Sequence, residues 1–461
     1  MNRRTNPPFS RSSLVFLAFA LFNLIGVNLL LVAGFDTEFE GLSLDHTLAF
    51  LRFEKPQSDS WGPMMAAYAF LQSGSQGSVY QEVFFNQHVK FQYPLSSLLI
   101  FPAMEAYIGN PKAWLRYLAA VSWGFVIVNV IAVLQLFWTA MRESNGPEGR
   151  ADRWIQGAVL LALALTYYPM LKAFSLGQIQ VWLNAMFALS LLCLLKGKQA
   201  AAGTLCGVMC LIKPQYMLFL IWGLLRKQIA FSRACFAVFI SGLALTILTF
   251  GPHHLIDYVR VTSFLSRHGE GFYPNQSVNG LLNRFFENGN NLHWLEHAFP
   301  PFHPGIYAAT VGTSVLLIVT ALAWKNRPSP QHQILDFCMV ALVCTMASPI
   351  AWEHHYGVLL PIYAYVLPLC FSPGMVSRWM ALCLGLSYVL TAHLIQATSQ
   401  LADSWLNLAQ SYVFFGACLL LICLGFLRRS PQLALETRAP TSIPPTWLDL
   451  PSRGRSPGTP V

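Results

Sequence analysis

Apolar residues in this chain gather into long unbroken runs, not into stripes. Runs at 14–34, 115–140, 155–171, 179–195, 200–212, 214–225, 231–250, 306–324, 334–350, 357–371, 378–396 and 407–427 are separated by polar connections. About 20 apolar residues cross a bilayer core as a helix, because a helix pairs its own backbone groups where no water can. The pattern therefore predicts an all-α polytopic membrane protein with about 12 transmembrane helices. Alternation of period two is missing from the sequence, which argues against a transmembrane β-barrel. Composition agrees: 55% of residues are hydrophobic and 11% charged, less than half of the roughly 25% charged residues of soluble domains.

Two features interrupt the regular pattern. The stretch 94–108 is apolar, but counting it as a crossing would turn every later basic connection outward, so it is expected to be re-entrant or interfacial. The short runs 200–212 and 214–225 meet at Lys213-Pro214 and predict a helix broken at membrane depth, where broken helices usually line a cavity.

Charge fixes the expected orientation. The net +9 comes from Lys and Arg clustered in connections, such as Arg142, Arg150 and Arg153, Arg226, Lys227 and Arg233, and Arg428 and Arg429. Such clusters mark cytoplasmic loops, so the basic excess reports topology and calls for no nucleic-acid partner. The first run is too long for a signal-peptide core and is expected to remain as a span. Both termini then lie in the cytoplasm of a bacterial-type inner or plasma membrane. Residues 1–427 form one multi-pass domain, and the Pro- and Ser-rich tail 428–461 is expected to be disordered. The polar segments 35–93 and 251–305, with the connections 172–178, 348–356 and 397–406, fall on the extracytoplasmic face, where chemistry is expected. All ten cysteines lie in or beside apolar runs and read as small packing residues, not as a disulfide framework or a metal site.

Five groups of residues are candidates for chemistry. The first loop carries Ser58-Asp59-Ser60-Trp61 among seven acids, and an acid there suits proton abstraction from a hydroxyl. Ser348-Pro349-Ile350-Ala351-Trp352-Glu353-His354-His355-Tyr356 places adjacent histidines beside an interfacial Trp, where an anionic phosphate is a fitting partner and interfacial anchoring the bland alternative. Lys213 lies deep in an apolar stretch, where an unpartnered ammonium costs about 2.5–3.5 kcal/mol unless it meets water or an anion. Ser175-Leu176-Gly177-Gln178 with Gln180 and Asn184, and Asn275-Gln276-Ser277 with Asn279 and Arg284, offer amides, hydroxyls and a guanidinium to sugar hydroxyls and phosphate oxygens. Capping and loop packing use the same residue types.

In combination, Gly177-Gln178, Lys213-Pro214, Asn275-Gln276-Ser277 and Ser348-Pro349-x-x-Trp352-x-His354-His355 occur in the order found in glycosyltransferase family 87, and the chain resembles that family from about Asp59 to about Tyr363. The resemblance implies a GT-C type bundle with a long first extracytoplasmic loop. It further implies a polyprenol-phosphate-mannose-dependent mannosyltransferase that moves a sugar from a lipid phosphate carrier to an acceptor hydroxyl outside the cytoplasm. Asp59 best matches the loop acid of such inverting enzymes, with Asp36 and Asp45 as alternatives in the 35–58 insert. His354 or His355 matches the family histidine near the donor phosphate. Lys213, Gln178, Asn275, Gln276, Arg284 and Trp352 are the expected donor-binding residues. Gln180 departs from the family pattern, in which Asn is commoner. The implied partners are a lipid-linked sugar donor, a glycolipid or glycan acceptor and membrane lipids. No cofactor is required, and a divalent metal bridging Asp59 and the phosphate is compatible with the pattern. A transporter or flippase of lipid-linked sugars is the alternative reading, and a non-catalytic assembly subunit is a third.

Overall fold

The computed structural model describes residues 10–35, 37–38, 42–74, 77–145, 149–296, 298–327, 329–371 and 376–430. The expected tail, apart from its first three residues, and the alternative base Asp36 lie outside them. Regular structure among the described residues is helical, with one isolated antiparallel bridge between Asn275 and Trp352.

Each of the twelve predicted runs has a helix as its body. Among the described residues, five helices are long and apolar enough to cross a membrane: Ser13–Phe35, Pro111–Arg142, Ile229–Phe250, Pro304–Leu322 and Trp405–Arg429. A sixth is the pair Ala151–Leu165 and Tyr168–Ser175, bent by 47°. The bend follows from Tyr167, whose extended backbone and following Pro169 interrupt the helical hydrogen bonding. Gln180–Leu195, Gln199–Ile212, Pro214–Leu225 and Arg378–Ala392 are shorter apolar helices. The expected break at Lys213-Pro214 is present, with Lys213 extended and a short 3-10 turn over Pro214–Met217.

The 94–108 stretch is a 3-10 turn, Leu95–Leu99, leading into the Ile100–Ile108 helix. It rests on the 199–212 and 229–250 helices, and Ser96 Oγ donates to the Leu211 carbonyl at 2.5 Å. The first polar loop is itself largely helical, through Ser43–Leu51, Trp61–Gln72 and a π-turn at Tyr80–Asn86.

Packing is tightest between the Gln199–Ile212 and Ile229–Phe250 helices. A Cβ on Gly203 would lie 2.1 Å from the Phe231 carbonyl oxygen and one on Gly207 2.8 Å from that of Cys235, so this Gly-x-x-x-Gly spacing is what lets the two backbones meet. Phe187, Phe219, Trp222, Phe231 and Phe337 pack ring against ring in the adjoining core, some stacked and some edge to face. The two acids within apolar runs are both partnered. Glu105 accepts from the Tyr68 hydroxyl at 2.5 Å. Asp336 is paired with Arg226 at 2.7 Å and also with Arg428, all three being almost fully buried.

Candidate active site

Two short loop pairings bring the sequence motifs together. In the first, residues 57–60 lie along 175–177, with Gln57 N donating to the Ser175 carbonyl at 2.8 Å and Asp59 N to that of Leu176 at 2.9 Å. Gly177 adopts φ +67°, and a Cβ there would stand 1.9 Å from the Gln57 carbonyl oxygen. Only glycine fits both the conformation and the contact. Gly177→Ala is therefore expected to push the 57–60 strap off its seat. A misplacement of about 1 Å costs transfer chemistry about 100-fold, which turnover of the detergent-purified variant would measure.

The strap presents Asp59 beside Gln178. Gln178 Nε2 donates to Asp59 Oδ2, while Gln178 Oε1 accepts from Ser60 Oγ at 2.6 Å and from the Tyr93 hydroxyl at 3.2 Å. Both ends of the amide are thereby committed, and its orientation is fixed. Asp59 keeps an open face but stands in a concavity crowded with protein. Burial there pushes its carboxyl above the ordinary aspartate range, against the opposing pull of the Gln178 hydrogen bond and of the Lys172 and Lys213 ammonium groups.

In the second pairing, residues 274–276 lie along 351–353. Gln276 N donates to the Ala351 carbonyl at 2.7 Å and Glu353 N to that of Pro274 at 2.9 Å. This joins the Asn-Gln-Ser motif to the Trp-x-His-His motif. The Asn275 amide donates to the carbonyls of Glu270 and Pro349, and its Oδ1 accepts from Ala351 N at 2.9 Å. Gln276 donates to the carbonyls of Tyr273 and Gln410. The Arg284 guanidinium donates to the Asn275 carbonyl at 3.1 Å and to Ser411 Oγ at 2.5 Å. These three side chains are buried and brace the loops. Trp352 is half-buried and meets Trp294 edge to face at 5.2 Å. Lys90 Nζ lies 3.5 Å from the centroid of the Trp294 ring.

Lys213 connects the broken helix to the histidine pair. Its Nζ donates to Gln180 Oε1 at 2.8 Å and to His355 Nε2 at 2.9 Å. Gln180 is thus an acceptor for the lysine. Burial pushes both His354 and His355 well below the ordinary imidazole range, and the nearby Lys213 ammonium pushes the same way. Both rings are thereby kept in the neutral form at pH 7. His354 Nε2 and His355 Nδ1 are buried with no hydrogen-bond partner, and the rings stand edge to face at 4.7 Å.

The structure also brings in groups that motif reading leaves without a role. Glu353 is buried and accepts from the hydroxyls of Tyr168 at 2.8 Å and Tyr412 at 3.3 Å. Lys172 occupies the half-buried face of the Tyr168–Ser175 helix. The available signal was its charge: a lysine in a connection expected on the outer face runs against the positive-inside bias. Among the described residues no three His, Cys, Asp or Glu side chains are grouped so as to hold a metal ion.

A glycosyltransferase family 87 model matches residues 91–349, more than half of the chain. The chain belongs to glycosyltransferase family 87. The matched segment contains Gln178, Lys213, Asn275, Gln276 and Arg284; Asp59 precedes it, and Trp352 and the histidine pair follow it. Family 87 membership is accompanied by likeness to two mannosyltransferases of Mycolicibacterium smegmatis strain ATCC 700084 / mc(2)155. A polyprenol-phosphate-mannose-dependent alpha-(1-2)-phosphatidylinositol pentamannoside mannosyltransferase is 23% identical over 294 residues, 63% of this chain and 65% of that protein. A polyprenol-phosphate-mannose-dependent alpha-(1-2)-phosphatidylinositol mannoside mannosyltransferase is 22% identical over 351 residues, 74% of this chain and 76% of that protein. Several helices among the described residues are fit to cross a bilayer, in keeping with a membrane-type family.

Proposed function

We propose that this family 87 protein transfers a mannosyl residue from a polyprenyl-phosphate carrier to a hydroxyl of a glycolipid acceptor, by a single inverting displacement at the extracytoplasmic face. The proposal includes the twelve-span GT-C arrangement with both termini in the cytoplasm. The observation that carries it is that Asp59, held by Gln178, feels the charge of Lys213, which is itself bonded to His355. The carboxylate suits a hydroxyl, and the cationic and N–H donors suit a phosphate.

In this mechanism Asp59 accepts the proton of the acceptor hydroxyl as its oxygen attacks the anomeric carbon from the face opposite the phosphate. The bond from the anomeric carbon to the phosphate oxygen breaks, and its electron pair leaves with the polyprenyl phosphate. Lys213 and an N–H of the histidine pair stabilise the charge that gathers there; donors already in place cost no reorganisation as the reaction proceeds. Gln178 orients the base, and Trp352 forms part of the sugar wall. Asn275, Gln276 and Arg284 contribute to donor binding by bracing the loops that carry Trp352 and His354. Phosphate is a good leaving group, so the step calls for no cofactor.

The partnered state of Glu105 and Asp336 speaks against a transporter, which needs titratable groups free to act along a midplane path. Competition between donors tests the proposal. Purified protein given labelled mannose as polyprenyl phosphate mannose or as a nucleotide sugar, with a phosphatidylinositol mannoside acceptor, is expected to label the acceptor from the lipid donor only. Labelling from the nucleotide sugar alone would contradict it.

A further inference from the structure

Lys172 has no place in the mechanism above, yet the fold sets it on the helix whose two ends meet Glu353 and the Asp59 strap. Tyr168, Lys172 and Leu176 follow one another at four-residue spacing, so they share one face of their helix. Tyr168 at one end donates its hydroxyl to Glu353 at 2.8 Å and lies against the His46 ring at 5.5 Å. Leu176 at the other end receives Asp59 N at 2.9 Å. Lys172 thus stands between the strap that holds Asp59 and the loop that holds Glu353 and His354. Among the described residues it makes no ion pair within 4.0 Å, although its charge reaches Asp59, His46, Glu353 and His354. The buried His354, whose Nε2 has no hydrogen-bond partner, feels the charges of both Lys172 and Lys213.

Charge counting gives this lysine a purpose. With each group ionised, Lys172, Lys213 and Arg284 face Asp59 and Glu353, leaving a surplus of one positive charge, which matches the single negative charge of a phosphodiester donor. When Asp59 has taken the acceptor proton the surplus becomes two, which matches the phosphate dianion that departs. Without Lys172 the site would be neutral toward the donor and one charge short toward the leaving group.

We propose that Lys172 is a second phosphate-binding cation of this site, holding the departing polyprenyl phosphate opposite Lys213 and beside His354. The inference rests on the proposed transfer reaction and assigns a further residue to it. The expected consequence is stronger for the dianionic product than for the monoanionic donor.

Product inhibition by a polyprenyl phosphate, set against the corresponding uncharged polyprenol, reads this directly. Lys172→Gln is expected to weaken inhibition by the phosphate at least tenfold, to leave that by the alcohol unchanged, and to be restored by Lys172→Arg. Wild-type protein offers a parallel reading without any variant: polyprenyl phosphate should shield Lys172 from acetylation by an amine-reactive anhydride, as followed by mass spectrometry, whereas the alcohol should not. Equal inhibition of Lys172→Gln and wild type, or equal acetylation with and without the phosphate, would overturn the proposal. So would an upward move of the acid limb of the pH profile with inhibition unchanged, which would make Lys172 a residue that keeps Asp59 ionised. A wild-type protein that performs no transfer would instead refute the underlying reaction.

Discussion

Replacing Asp59 by Asn is expected to cut sugar transfer by orders of magnitude while leaving the protein folded. Asn has the shape of Asp and its Oδ1 can still accept the Gln178 amide that holds position 59, so the strap keeps its seat. The proton acceptor is lost, however, and positioned general bases contribute about 10²–10⁴-fold. Turnover should fall by about that factor, with donor affinity changed by no more than a few-fold. The same residue sets the acid limb of the rate. Its carboxyl is held above the ordinary aspartate value of 3.8, chiefly by burial, so the active ionised form exists above that raised value and is lost as pH falls through it. The limb should therefore lie at higher pH than for a solvent-exposed aspartate. It should not report the histidines, which burial keeps neutral throughout the neutral range. Steady-state turnover across pH, with a thermal melt of the variant, checks both statements.

The second large effect lies at the other end of the molecule. Asp336 receives Arg226 Nε at 2.7 Å, Arg428 Nη2 at 3.1 Å and also Arg428 Nε. The arginines add bonds to the carbonyls of Leu322 and Lys325. One carboxylate thus ties together the Leu218–Leu225, Pro330–Met346 and Tyr412–Arg429 helices and the end of Pro304–Leu322. Asp336→Asn would leave two buried guanidinium groups without a counter-charge. Breaking one partner of a buried pair costs about 3–5 kcal/mol, a large part of the 5–15 kcal/mol that stabilises a typical domain. The variant is expected to lose most of its monodisperse yield and to melt at lower temperature, with unchanged turnover per folded molecule. Substituting all three residues, Asp336→Leu with Arg226→Met and Arg428→Met, should recover the stability. Size-exclusion profiles and melts of the two variants test the assignment.

Hydrophobic runs made the helices legible because burial in lipid leaves few alternatives for a backbone. The Lys213-Pro214 break was legible for the same reason: proline removes a donor, and lysine needs a partner. Side-chain purpose was harder to read. Asn275, Gln276 and Arg284 are types that bind sugars and phosphates, but they are equally suited to loop carbonyls, and pairing between distant loops decides where their bonds go. Asp59 was one of seven similar acids, distinguished only by a resemblance. What sets it apart is Gly177, more than a hundred residues away, whose missing side chain lets the strap settle. Lys172 and the Tyr168–Glu353 contact depend on helix packing that leaves no local pattern. The first loop has the sequence of a polar connection, yet its short helices bury Trp61, Met64 and Phe50, apolar positions too few in each helix to register as runs.

Vesicles holding the purified protein, loaded with polyprenyl phosphate bearing labelled mannose and a phosphatidylinositol mannoside acceptor, put the central claim to its most direct test. The account predicts labelled acceptor and free polyprenyl phosphate in equal amounts from wild-type protein, and at least about 100-fold slower formation of both from Asp59→Asn. Intact donor carried to the opposite leaflet with no labelled acceptor, or full transfer by Asp59→Asn, would contradict it.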